Sequence, residues 1–207
     1  MHSPTVIESI TVESLTDSEA IAAVIQDLAR LRIGIFREFP YLYDGSLAYE
    51  AEYLKLYAKT ASSVVVTARD AAAGNRIVGA ATALPLVHEH SELLASFEAA
   101  SIPIDCVYYC AESILESAYR GRGIGHAFFD HRERRAQDLG FQVCCFLSVI
   151  RAEDHKRRPA GYRPHDAFWA KRGYAVVPDF QASFTWRDLD EIEASPKPMA
   201  LWRRALA

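Results

Sequence analysis

The residues best suited to chemistry lie close together in the chain. One run reads Arg120-Gly121-Arg122-Gly123-Ile124-Gly125-His126-Ala127. Glycine reaches positive φ at no steric cost and leaves no Cβ between the backbone and a ligand. If a helix begins where this run ends, its first N–H groups are free and its dipole favours negative charge, so the turn suits phosphate. Two phosphate motifs fail. A dinucleotide fingerprint begun at Gly123 and Gly125 meets Phe128 where the third glycine belongs, and a P-loop begun at Gly121 meets His126-Ala127 where Gly-Lys belongs. What remains is Arg/Gln-x-x-Gly-x-Gly/Ala, met by Arg120, Gly123 and Gly125. Just upstream, Glu112 interrupts the apolar and aromatic run Tyr108-Tyr109-Cys110-Ala111-Glu112-Ser113-Ile114-Leu115. A carboxylate there faces a pocket or needs a buried partner.

Other reactive types have plainer explanations. Cys144 and Cys145 stand in an apolar strand with no identifiable histidine partner, and read as buried packing residues. Asp166 suits the first turn of a helix. Tyr49, Tyr53 and Tyr57, spaced by four, read as one packed helix side. The basic loop over residues 151–161 is long for a strand–helix connection, and long loops are often functional, although a solvated charged loop is the commoner case. No His/Cys/Asp cluster has metal-ligand spacing, so no metal is expected.

The elements that must hold these residues follow from periodicity and turn chemistry. Residues 6–15 read as a strand. Thr16, Asp17, Ser18 and Glu19 supply cap and first-turn residues for a helix whose inner stripe is Ile21, Val24, Ile25, Leu28, Leu31 and Arg32. Residues 41–57 suggest a loop and a second helix. Residues 63–68 and 76–87 are strands joined through Ala73-Gly74-Asn75, and residues 91–99 form a short helix. Residues 106–116 are a strand leading into the glycine turn. Ile124, Phe128, His131, Arg135 and Leu139 mark the inner side of a helix stopped at Gly140. Residues 141–150 are apolar enough for a strand buried on both faces. Pro164 opens a last helix that ends before Gly173, and residues 180–188 and 199–206 are the final strands. Strand–helix–strand in the second half implies one parallel crossover in an otherwise antiparallel sheet. The class is α/β (α+β): a mixed, mostly antiparallel central sheet flanked by helices.

Composition narrows the function. The 207 residues fit a single domain spanning positions 1–207. Half are hydrophobic and 24% are charged, which excludes disorder and collagen-like repeats. No apolar run spans a bilayer and no secretory signal is visible, so no membrane partner is expected. Four cysteines without a disulfide framework suit a reducing cytoplasm. The net charge of −4 argues against nucleic acid. The charge divides unevenly: positions 1–105 hold 7 basic and 14 acidic residues, and positions 106–207 hold 16 and 13. Such a division suits a site with one anionic and one cationic ligand.

The glycine turn, the strand before it and the helix ending in Trp169-Ala170-Lys171-Arg172-Gly173-Tyr174 together resemble the GCN5-related N-acetyltransferase (GNAT) superfamily, in element order over most of the chain. The resemblance implies acetyl-CoA as co-substrate, bound where two neighbouring parallel strands splay apart, here residues 106–116 and 141–150. Amides of Arg120, Gly121, Arg122, Gly123, Ile124 and Gly125 would hold the pyrophosphate, with charge added by the two arginines. The backbone of Ile114 and Leu115 would pair with the pantetheine arm, and the Leu115 N–H would stabilise the oxyanion. The implied reaction is direct attack of an amine on the thioester. The ammonium must first lose a proton, against a pKa of about 10 for a lysine-like amine. Glu112 is the first candidate for that base. Many relatives place the general acid, a tyrosine, where this chain has Trp169, whose indole is no phenol-like donor; Tyr162 and His165 are nearby substitutes, and water is another. A helix start beside His165 would disfavour its charged form. The segment joining the first two helices covers the acceptor in this family, which makes Tyr41, Tyr43 and Asp44 substrate-binding candidates through cation–π contact and charge. A catalytically silent acyl-CoA-binding module, an O-acetyltransferase and a longer-acyl transferase are the alternatives. The final strands offer edges that could pair two subunits into a homodimer.

Overall fold

The computed structural model describes residues 3–206. Its centre is one nine-stranded sheet. The strands are β1 (Thr5–Ile7), β2 (Ile10–Leu15), β3 (Val64–Asp70), β4 (Arg76–Pro85), β5 (Val107–Leu115), β6 (Val143–Val149), β7 (Ala175–Val176), β8 (Ala182–Trp186) and β9 (Ser195–Ala205). Their order is β1-β2-β3-β4-β5-β6-β9-β7, with β8 also on β9. Every pairing is antiparallel except β5 with β6. The crossover between those two is helix α4 (Ile124–Asp138), as expected for a parallel neighbour pair.

Helices α1 (Ser18–Phe36), α2 (Leu47–Lys59) and α3 (Ser91–Ala99) cover one face of the sheet. Helices α4 and α5 (Asp166–Lys171) cover the other. α1 starts where Asp17 accepts the amides of Glu19 and Ala20, each at 3.0 Å. Its predicted stripe is the buried one, Arg32 included. Among the described residues no helix is long and apolar enough to cross a membrane, and no group of three or more His, Cys, Asp or Glu could hold a metal.

Several expectations are corrected. Residues 6–15 are a hairpin rather than one strand, because Glu8 adopts φ 54°. Of the predicted inner side of α4, Ile124, Phe128 and His131 are buried, but Ala127, Arg132 and Ala136 also face inward, and Leu139 is 37% exposed. On α2, Tyr53 and Tyr57 pack inward but Tyr49 is exposed, and Glu50 takes the inner face. β9 starts before Met199, despite Pro196 and Pro198. The Pro198 carbonyl receives Ile150 N–H just past the end of β6, so its ring stands where no ladder donor is required.

Candidate functional site

β5 and β6 form a fork. Their pairs are Val107 with Val143, Tyr108 with Cys144 and Tyr109 with Cys145, and then they stop. Beyond that point β5 follows β4 alone and β6 follows β9 alone. The cause lies in β5. The register with β4 shifts between Thr82 and Leu84, so that Cys110 and Ala111 together oppose Ala83. Such a bulge bends its strand and raises its twist, here directly after the last parallel pair.

Arg132 donates into the bulge from α4. Its guanidinium is 1% exposed and donates to the carbonyls of Glu112 (2.9 Å) and Thr82 (3.5 Å) and to Ser113 Oγ (2.8 Å). It lies over the Phe129 ring at 4.6 Å. Nothing in the spacing of α4 singles this residue out beyond a cation on a buried helix face.

The open edge of β5 can be assigned atom by atom. Glu116 N–H donates to Val78 O, and Glu112 and Ile114 stand opposite Thr82 and Ala80 in the same register. Alternation then turns the amides of Ser113 and Leu115 away from β4, into the fork. Of the two backbone positions named from sequence, Leu115 faces the gap. Ile114 belongs to the β4 ladder, and Ser113 takes its place. The Leu115 carbonyl is already occupied by Arg120 Nε at 3.0 Å.

The glycine turn closes the open end. Gly121 and Gly123 have φ of 79° and 87°, and a Cβ on either would meet nothing within 4 Å. Gly123 is the N-cap of α4 and no side chain caps the helix start. The amides of residues 121–125 carry no backbone acceptor among the described residues. Gly121, Arg122 and Gly123 are exposed while Ile124 is buried, so the donors open to solvent lie at the start of the turn, where neither glycine interposes a Cβ, and they fit a diphosphate. The turn is anchored from behind: Tyr119 OH donates to Asp70 at 2.9 Å, and Arg76 pairs with Glu116. Arg120 reaches Glu38 at 2.8 Å and Arg122 reaches Glu8 at 3.5 Å; both guanidinium groups are more than 40% exposed. A cavity of about 500 Å³ adjoins this turn, between α1 and residues 116–118, and contains none of the catalytic candidates.

On the α1–α2 face of the fork stands a buried charge cluster. Glu112 forms an ion pair with Arg32, and Arg32 also pairs with Glu50. Tyr43 OH donates to the other Glu50 oxygen at 2.7 Å. The Arg32 guanidinium lies between the rings of Phe36 (5.0 Å) and Tyr53 (4.7 Å). Burial and then the Glu112 charge push the Tyr41 phenol up to about 12. Tyr41 packs on Phe36 and Trp186, and Arg151 donates to its carbonyl at 2.7 Å. Arg151 also grips Asp188, so the first residue of the long basic loop is a buried tie between that loop, the α1–α2 connection and the β8–β9 hairpin.

The fold thus gathers Glu112, Tyr41 and Tyr43 on one face, with Arg32 and Glu50 between them. Tyr162 joins them through Phe39, ring against edge at 4.7 Å, with Arg158 over its own ring at 5.2 Å. His165 is the N-cap of α5, against Trp169 at 5.7 Å. Burial first, and then the nearby Arg120 charge, lower its pKa. Asp44 does not join: it lies toward the surface, paired with Arg37 and Arg187. Trp169 packs among Phe146 and Trp202 on the β6 side. Glu50 belongs to the acid- and aromatic-rich segment after Gly45, but its sequence gives it no preference over Tyr41, Tyr43 and Asp44; the signal for its burial is that Glu50, Tyr53, Leu54 and Tyr57 follow the spacing of one helix face.

No family model matches this chain, and no curated protein matches it. Solved structures do. A GCN5-related N-acetyltransferase from Kribbella flavida aligns over 96% of this chain and 99% of its own at TM-score 0.57 and 16% identity. The ribosomal-protein-alanine N-acetyltransferase of Brucella melitensis aligns over 94% and 99% at TM-score 0.60 and 12% identity. An IAA acetyltransferase from Bacillus cereus aligns over 96% and 100% at TM-score 0.52 and 13% identity. What is shared at such identities is the chain path, and the path of this chain is the GCN5-related N-acetyltransferase fold.

Proposed function

We propose that this chain is an acetyl-CoA-dependent N-acetyltransferase that acts, as one unit, on a primary amine of a small molecule or protein. The observation that carries the reading is the fork: two parallel strands parted by a bulge, with an uncapped glycine turn at the open end. Acetyl-CoA, when bound, supplies an activated acyl group on sulfur. Amides of residues 121–125 hold its diphosphate, and the amides of Ser113 and Leu115 pair with its arm as a neighbouring strand would. The Leu115 N–H donates to the carbonyl oxygen as negative charge gathers there. Glu112, oriented by Arg32, draws in the ammonium and takes its proton. Tyr41 lines the acceptor side, and Tyr43 steadies Glu50 beneath it. Asp44 attracts a cation only from outside its two ion pairs. Tyr162 and His165 are the donors to the leaving sulfur. The amine transferases among the similar structures support this acceptor class, and the reaction belongs in the cytoplasm.

The test is release of CoA from acetyl-CoA across a panel of primary amines. Turnover with at least one amine, and mass spectrometry of an N-acetyl product, is the expected outcome. Tight CoA binding without transfer to any amine would instead favour a silent acyl-CoA-binding module, a reading that Trp169 at the usual acid position supports. Acetylation of an alcohol, or preference for a longer acyl group, would redirect the assignment within the same fold.

Arg122 tests the diphosphate assignment separately. It is half-exposed beside the turn, and its ion pair with Glu8 is long, at 3.5 Å. Arg122→Glu is expected to weaken CoA binding about tenfold, or roughly 1.4 kcal/mol, with thermal stability unchanged. Equal affinity by calorimetry would remove Arg122 from the site.

A further inference from the structure

A second carboxylate stands at the vertex of the fork, and the mechanism above leaves it idle. Glu89 follows the short turn after β4, whose Leu84 and Pro85 lie opposite Tyr109 and Tyr108. It is 9% exposed, and its Oε1 is buried with no hydrogen-bond partner. Its Oε2 meets only the His90 amide, at 3.4 Å. An orphaned carboxylate oxygen inside a protein carries a large desolvation cost, so its persistence calls for a use. An ammonium or a proton is what would satisfy it.

The surroundings locate Glu89 in the candidate site. Its charge acts on Tyr109 and Cys145, the last paired residues of β5 and β6, and on Tyr53 and Tyr57 of α2. The charges facing it are Glu112 from β5 and Arg32 from α1. Its neighbour His90 lies against Tyr53, ring centroids 6.1 Å apart. Arg32 is engaged by Glu50 and Glu112, so Glu89 is left without an ion pair among the described residues.

We propose that Glu89 is the proton store of the acetyl-transfer site. This rests on the reading above and adds a second carboxylate to it. Glu112, clamped by Arg32, aligns the ammonium and takes its proton: an N–H bond breaks and an O–H bond forms on Glu112. That proton then passes to Glu89, directly or through one water, and Glu112 returns to its ion pair with Arg32. Glu89 releases the proton to solvent after the acetylated product leaves. Burial first, opposed by the His90 amide, and then the Glu112 charge push the Glu89 carboxyl up to about 7, which suits a group that must both hold and release a proton near neutrality.

The experiment compares wild type, Glu89→Gln and Glu89→Asp, using acetyl-CoA and an amine turned over by the wild type. Wild-type kcat/KM should rise with pH through a limb near 7, because Glu89 must be ionised to accept a proton. Glu89→Gln should lower kcat on the order of 100-fold and abolish that limb, whereas Glu89→Asp should keep it. Misfolding has a separate signature. Burial raises the folded-state pKa from 4.5 to about 7, so wild-type stability falls as pH rises through that window. The neutral Gln variant, which has no charge to bury, should be at least as stable at pH 8. Carboxyl carbon resonances of glutamate-labelled protein, with the Glu89 signal identified by its loss in Glu89→Gln, read the titration without any turnover. A Glu89→Gln enzyme with wild-type kcat and an unchanged limb overturns the inference while acetyl transfer stands. A Glu89 signal that titrates below pH 5 overturns it whatever the activity. Failure of the wild type to acetylate any amine overturns the parent reading instead.

Discussion

Glu112→Gln should lower kcat by about 100-fold or more while CoA affinity stays within twofold of wild type. Glu112 lies on β5 one strand position from Ser113, whose amide faces the fork, and its carboxylate meets Arg32 on the α1–α2 face. The substitution removes the charge that attracts an ammonium and the oxygen that takes its proton. It leaves the shape nearly intact: the amide oxygen can still accept from Arg32, and Arg32 keeps Glu50. The turn amides lie on another element and are untouched. Steady-state kinetics with a saturating amine, together with CoA calorimetry, separates the two effects. Near-normal kcat would reject Glu112 as the base, and an equal loss of CoA affinity would mean that the fork itself had moved.

The largest effect on the fold is expected from Arg132→Met. The methionine fills much of the same space but cannot donate. The Glu112 and Thr82 carbonyls and Ser113 Oγ then lose their buried donor at the bulge. Ser113 is exposed and its hydroxyl can turn to water, but a carbonyl left unsatisfied inside the protein costs about 1–3 kcal/mol, and loss of a charged donor adds to this. A fall of about 3 kcal/mol is the expected net result, equivalent to roughly 10 °C in Tm for a chain of this length. Denaturant unfolding with an unchanged slope measures it. CoA binding should weaken as well, because β5 without its bulge would run on beside β6. A loss under about 1 kcal/mol with full CoA affinity would show that the fork holds itself open.

The two variants act on different links of the same chain of causes. Arg132 supports the backbone irregularity that makes the gap, and Glu112 supplies the charge that faces it. On the proposed reading Glu89 adds a second charge, felt at Tyr109 and Cys145, which end the parallel pairing. On the proposed reading, a fork of this kind leaves most donor recognition to main-chain amides, which any side chain can present.

Local rules were enough to identify the turn and most of the elements around it. Gly121 and Gly123 are legible because positive φ and a missing Cβ are properties of single residues. The α1 stripe, the α4 crossover and the Gly140 stop are legible because helix periodicity and capping act over a few residues. Tertiary structure decided how the charged residues pair. Arg32 and Glu50 each sit on the inner stripe of a separate helix, and nothing within either helix says that they meet each other and that Arg32 also meets Glu112. The surface pairing of Asp44 with Arg187 also depends on a neighbour distant in sequence. Periodicity reports which side of an element avoids water. Which buried charge compensates another depends on desolvation and distance in the assembled core, and those exist only once the sheet and its two helical layers have closed.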